Sequence, residues 1–139
     1  MTMHRRPVGR GRLLAAASAI LIVVASLLPW YTFVGDLGLN AFKAFDGSGI
    51  LTFIAALATI ALVALPYAAG DRPVGLDRWI AYLLLALLAW VGVAVWPLDF
   101  LSVPAGFLPD RAPGFWLAVI GTIGLSRAAY DIAHEPPRR

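Results

Sequence analysis

The chain has 139 residues, 60% of them hydrophobic and 14% charged, with a formal net charge of +3 and no cysteine. Soluble domains are nearer half apolar and about a quarter charged, so the composition argues against a water-soluble fold, and the lack of cysteine removes disulfides and thiolate chemistry. The positive charge does not call for nucleic acid, because its distribution is that of a membrane topology signal and of contact with anionic lipid head groups.

In chain order, the head MTMHRRPVGRGR carries Arg5, Arg6, Arg10 and Arg12 and leads into a first apolar stretch at 13–31. A basic head before an apolar run is also the form of a signal peptide. Here the run continues to LLPWYTF with no small-x-small site closing it, and it reads as an uncleaved span. Pro29 is expected to kink or stop it. The loop 32–49 follows, reading TFVGDLGLNAFKAFDGSG. Leu39, Phe42 and Phe45 recur at spacing three, which predicts a short helix lying on the membrane surface. Asp46 or Ser48 is placed to cap a second span at 50–69. That span, beginning ILTFIAALATIALVAL, has no charge on any face. A helix apolar all round is buried in protein or in a bilayer, and so short a chain has no surrounding mass to bury four of them.

The link GDRPVGLD is dense in turn formers, and Asp77 is placed to cap a third span at 79–97, with Pro97 expected to end it. Trp90 lies near mid-span, where its indole N–H needs a partner; a carbonyl, a hydroxyl such as Thr59, or a second subunit would serve. The loop 98–112 is apolar for a connector, and Asp110 or Pro113 starts the fourth span at 113–130. Each span approaches the roughly 20 residues that cross a hydrocarbon layer about 30 Å thick. Trp30, Tyr31, Trp96, Phe115 and Trp116 at one boundary, and Trp79, Tyr82 and Tyr130 at the other, read as aromatic belts. The expected fold class is all-α: a single integral membrane four-helix bundle, 1–139, with short loops.

Arg5, Arg6, Arg10, Arg12, Arg72, Arg78, Arg127, Arg138 and Arg139 fall on one side of that topology, and only Lys43 and Arg111 on the other. The positive-inside rule then sets both termini in the cytoplasm. Small residues mark where helices can meet: Gly92 on the third span, with Ala118, Gly121 and Gly124 on the fourth. Lipid offers no hydrophobic drive between helices, so close backbone approach at such positions holds them together. With Trp90, these are the predicted packing residues.

The search for chemistry finds little. No ionisable residue sits mid-span, where transport and proton relay usually leave one. Asp36, Asp46, Asp99 and Asp110 all fall at the Lys43 side and form a candidate ligand or ion site, but their spacing matches no metal motif. His4 and His134 lie in opposite tails, and no HExxH, CxxC or serine-elbow motif is present. No cofactor or metal is expected, and nothing in the sequence points to an enzyme.

Trp30 and Tyr31 leaving the first span, and Ala41, Phe42, Ala44, Phe45 and Gly47 preceding the second, give a pattern that resembles uncharacterised four-span membrane proteins of high-GC Gram-positive bacteria. The resemblance covers roughly the first half of the chain and implies a multi-pass protein of a bacterial plasma membrane. It carries no catalytic residue. The leading expectation is a non-enzymatic accessory or structural protein whose partners are membrane lipids and other membrane subunits or further copies of itself. The alternatives are a component of a small oligomeric transporter or channel, and a ligand or ion site built from the four aspartates.

Overall fold

The computed structural model of the chain describes residues 8–35, 38–69, 78–99 and 113–136. Four helices account for most of them: α1 (Arg10–Leu27), α2 (Gly49–Ala68), α3 (Trp79–Asp99) and α4 (Pro113–Ala133). Three of these, α1, α2 and α3 as far as Leu98, are long and apolar enough to cross a membrane. The fourth has the length, at 21 residues, but carries Arg127 and Asp131 and a middle rich in Gly, Ser and Thr.

Proline shapes two helix ends in different ways. At Leu28 the chain turns extended (φ −87°, ψ 160°), the conformation that a following proline imposes on the residue before it. So α1 ends at Leu27, four residues short of the predicted span. Pro97, by contrast, does not end α3. It sits inside the last turn, and the helix runs two residues further to Asp99. The bond that Pro97 cannot make belongs to that final turn alone.

The loop after α1 is a β-hairpin, not the surface helix that the spacing of Leu39, Phe42 and Phe45 predicts. Strands β1 (Tyr31–Gly35) and β2 (Gly38–Phe42) pair antiparallel, with Tyr31 opposite Phe42 and Gly35 opposite Gly38. Aromatic and β-branched residues in YTFV favour a strand, and the glycine-flanked connection lets it pair back on itself. The helical period survives only in a 3₁₀ turn, Ala44–Asp46. Phe45 of that turn packs edge-on against Phe53 of α2, at 4.9 Å between ring centroids.

The helices form a ring in which α1 touches α2 and α4, and α3 touches the same two. The inward residues recur at alternating spacings of four and three: Gly11, Ala15, Ser18, Ile22 and Ala25 on α1; Tyr82, Ala86, Ala89, Val93 and Trp96 on α3; Gly114, Ala118, Gly121, Leu125, Ala128 and Ile132 on α4. This is the 3.5-residue period of helices that supercoil left-handedly and pack knobs into holes. Mostly alanine and glycine, it draws the backbones close. Large apolar residues stand on the outside instead, among them Leu13, Ile20, Leu57, Leu84, Leu87 and Ile120. Small residues along the seams, a few large ones such as Ile22, Tyr82, Trp96 and Leu125 filling the interior, and a large apolar exterior suit a lipid solvent.

Candidate functional site

With small residues inside, the seams between helices carry what specific chemistry there is. The α1–α4 seam runs the length of both helices. A Cβ placed on Gly11 would lie 2.7 Å from Ile132 Cγ1, one on Gly121 2.6 Å from Ile22 Cγ1, and one on Gly114 2.6 Å from the Ala25 carbonyl oxygen. At Gly124 the added carbon would collide with the Ser18 hydroxyl. Ala118, between Gly114 and Gly121, is fully buried on the same stripe. So α4 runs antiparallel to α1, from Gly114 beside Ala25 to Ile132 beside Gly11.

The helix ends on this seam satisfy each other. The indole Nε1 of Trp30 donates to the Ala25 carbonyl at 3.0 Å, and the Gly114 amide donates to the Pro29 carbonyl at 3.0 Å. The last carbonyls of one helix and the first amides of another are groups that a helix cannot satisfy internally. In an apolar medium each one left unpaired is costly.

The α2–α3 seam is polar as well as close. Thr52 Oγ1 donates to the Ala89 carbonyl at 2.9 Å, and Ser48 Oγ to the Gly92 carbonyl at 3.3 Å. Gly92 makes the approach possible: a Cβ there would run into Thr52 Oγ1 and sit 2.7 Å from the Thr52 amide nitrogen. Ser48 occupies the residue before α2 but makes no side-chain cap bond to it. Asp46 does not cap α2 either; its carboxylate accepts the Lys43 amide at 2.7 Å and closes the 3₁₀ turn.

Trp90 finds its partner on α4. Its Nε1 donates to Ser126 Oγ at 2.9 Å, and that hydroxyl donates in turn to the Thr122 carbonyl at 3.0 Å. Thr59, the hydroxyl suggested by the sequence, is buried on α2 and bonds the Ala55 carbonyl of its own helix at 2.8 Å. The signal for Ser126 was present, since a serine four residues after a threonine carbonyl can back-bond and still accept. Choosing it needs the rotation of α3 against α4.

Half of the expected aromatic belt is interior. Trp30, Trp96 and Phe115 are buried in one cluster with Val93, Ala44 and Ala118. Their ring centroids lie 5.5 Å (Trp30–Trp96), 5.7 Å (Trp30–Phe115) and 5.9 Å (Trp96–Phe115) apart. Ala44 is fully buried against this cluster, and Gly49 lets it approach, since a Cβ there would lie 2.8 Å from both the Ala44 carbonyl oxygen and the Trp30 ring. Tyr82 is buried in the larger alanine-rich core. Trp79, Trp116 and Tyr130 are exposed, as belt residues must be.

The opposite end of the bundle is charged. Arg12 of α1 meets Glu135, just past α4, at 3.0 Å. On α4, Arg127 Nε lies 3.2 Å from Asp131 Oδ1, and the guanidinium sits over the Tyr130 ring, 5.3 Å from its centroid. Tyr130 stacks on His134 at 4.1 Å, and His134 Nδ1 donates to the Tyr130 carbonyl at 2.8 Å.

Of the four aspartates singled out from sequence, Asp36 and Asp110 lie outside the described residues. Asp99 is the last residue of α3, and its side chain is likewise outside the description. Asp46 is exposed and engaged as above. Asp77 also lies outside the described residues. Among the described residues, no three His, Cys, Asp or Glu side chains gather to hold a metal.

No family model matches the chain, nor does any curated protein or solved structure. What the fold itself defines is a small multi-pass membrane protein of helices, without an obvious catalytic or metal-binding group among the described residues.

Proposed function

We propose that the chain is a four-span membrane protein with both termini in the cytoplasm, acting as a non-enzymatic accessory or structural subunit that packs against other membrane proteins. The observation that carries the reading is the α1–α4 seam. α4 lies along α1 from Gly114 beside Ala25 to Ile132 beside Gly11, which supports a crossing by α4 wherever α1 crosses. The nine-to-two distribution of basic residues then supports an inward placement of both ends.

The interior supports a packing role over an internal pathway. The buried hydroxyls of Ser26, Thr59 and Thr122 each bond a carbonyl of their own helix, and an aromatic cluster closes the Trp30 end. The outward apolar faces of all four helices are the surfaces left for partners, which are lipids, other membrane subunits or further copies of this chain. The test is cross-linking in the native membrane, then purification in mild detergent with mass measurement and identification of bound chains. A stable hetero-complex is the expected result. A closed homo-oligomer with a polar seam between copies would overturn it in favour of a transporter or channel component.

A further inference from the structure

The exposed stripe of α4 changes character along its length. Trp116, Ile120 and Ile123 are exposed and apolar, and at the same spacing of four and three come Arg127, Tyr130 and His134. Arg127 is 65% exposed. Its depth follows from the α1–α4 seam. The carbonyl of the next residue, Ala128, lies level with Gly11 in the first turn of α1. On the four-span reading Arg127 therefore stands at the boundary where that span begins, just past the apolar part of the stripe.

Two neighbours orient the side chain. Asp131 takes the Nε edge of the guanidinium, and the Tyr130 ring lies against its face, itself backed by His134. Occupying the Nε edge leaves the end-on Nη1–Nη2 edge, with its N–H donors, for a second anion. A planar fork of that kind matches two oxygens of one phosphate. A long basic side chain near a helix end reaches out to head-group depth, where the anion held in quantity is the lipid phosphodiester.

We propose that Arg127, oriented by Asp131 and Tyr130, binds the head-group phosphate of an anionic phospholipid at the end of the bundle where α1 begins. The inference rests on the four-span reading, which puts this stripe against lipid. The experiment uses the full chain in mild detergent, exposed to equal amounts of phosphatidylglycerol and phosphatidylcholine, with retained lipid read by native mass spectrometry. Both lipids carry the phosphodiester, but the choline ammonium of phosphatidylcholine offsets its charge, so wild type is expected to keep phosphatidylglycerol with about a tenfold preference, the scale of one hydrogen-bonded charge contact. Arg127→Gln is expected to abolish that preference. Arg127→Lys keeps the charge without the fork and is expected to lose most of it. Circular dichroism of each variant establishes that the helices are intact.

Equal retention of phosphatidylglycerol by wild type and a folded Arg127→Gln protein would overturn the proposal. So would displacement of the lipid by millimolar glycerol phosphate, which would identify a site for a soluble phosphate. A copurifying protein lost in the same variant would assign the patch to a protein partner instead. Topology reporters test the four-span reading without reference to Arg127, so failure of that reading and failure of the lipid site are told apart.

Discussion

Single residues decide how closely these helices meet. Replacing Gly121 by leucine puts a branched side chain where even one added carbon would lie 2.6 Å from Ile22 Cγ1. Overpacking of this kind costs about 1 to 3 kcal/mol, and leucine is compatible with a membrane helix. Insertion should survive while the melting temperature in detergent falls; an unchanged melt would contradict the seam. Ser126→Ala leaves the Trp90 indole without its acceptor. The expected loss is about 0.5 to 1.5 kcal/mol, and the same melt for Trp90→Phe should show no further penalty from adding Ser126→Ala. Asp99→Asn is expected to change stability by less than about 0.5 kcal/mol, as a solvated carboxylate would. Melting both proteins with and without millimolar calcium or magnesium checks this, and a metal-dependent rise found only in wild type would move the weight to the aspartates. The need for a Trp90 partner is legible in the sequence, because an indole N–H at mid-span cannot stay unpaired. Which hydroxyl supplies it is not, since Thr59 and Ser126 differ only in how their helices are turned.

At the scale of elements, apolar runs bounded by glycine, proline and charge mark the four helices well. Their ends are less legible, because the two prolines act oppositely. Pro29 follows a residue free to turn extended and so closes α1, while Pro97 is carried inside the last turn of α3. The loop between α1 and α2 misleads because Leu39, Phe42 and Phe45 fit a helical period, whereas the pairing of YTFVG with GLNAF depends on a partner strand that periodicity does not reveal. The belt misleads for a related reason. Depth in the membrane can be read from sequence, but whether a ring at that depth points inward, as Trp30 and Trp96 do, depends on the rotation of its helix.

For the whole molecule, topology is the testable quantity. Reporter fusions after Gly75 and at the C-terminus are expected in the cytoplasm, and fusions after Gly35 and Ala105 outside. An external C-terminus would contradict a crossing by α4. The ring closure also has a temporal consequence. The helix that covers the glycine-bearing face of α1 is the last to be synthesised, with residues 28–112 between them. At a synthesis rate of about 5–20 residues per second, that face is open to the bilayer for on the order of ten seconds. During that interval the Pro29 carbonyl has no Gly114 amide to meet, and the Gly11–Ser18–Ile22 surface is available to any other small-faced helix nearby. A nascent chain stalled before Pro113 would hold this surface open for as long as it stalled.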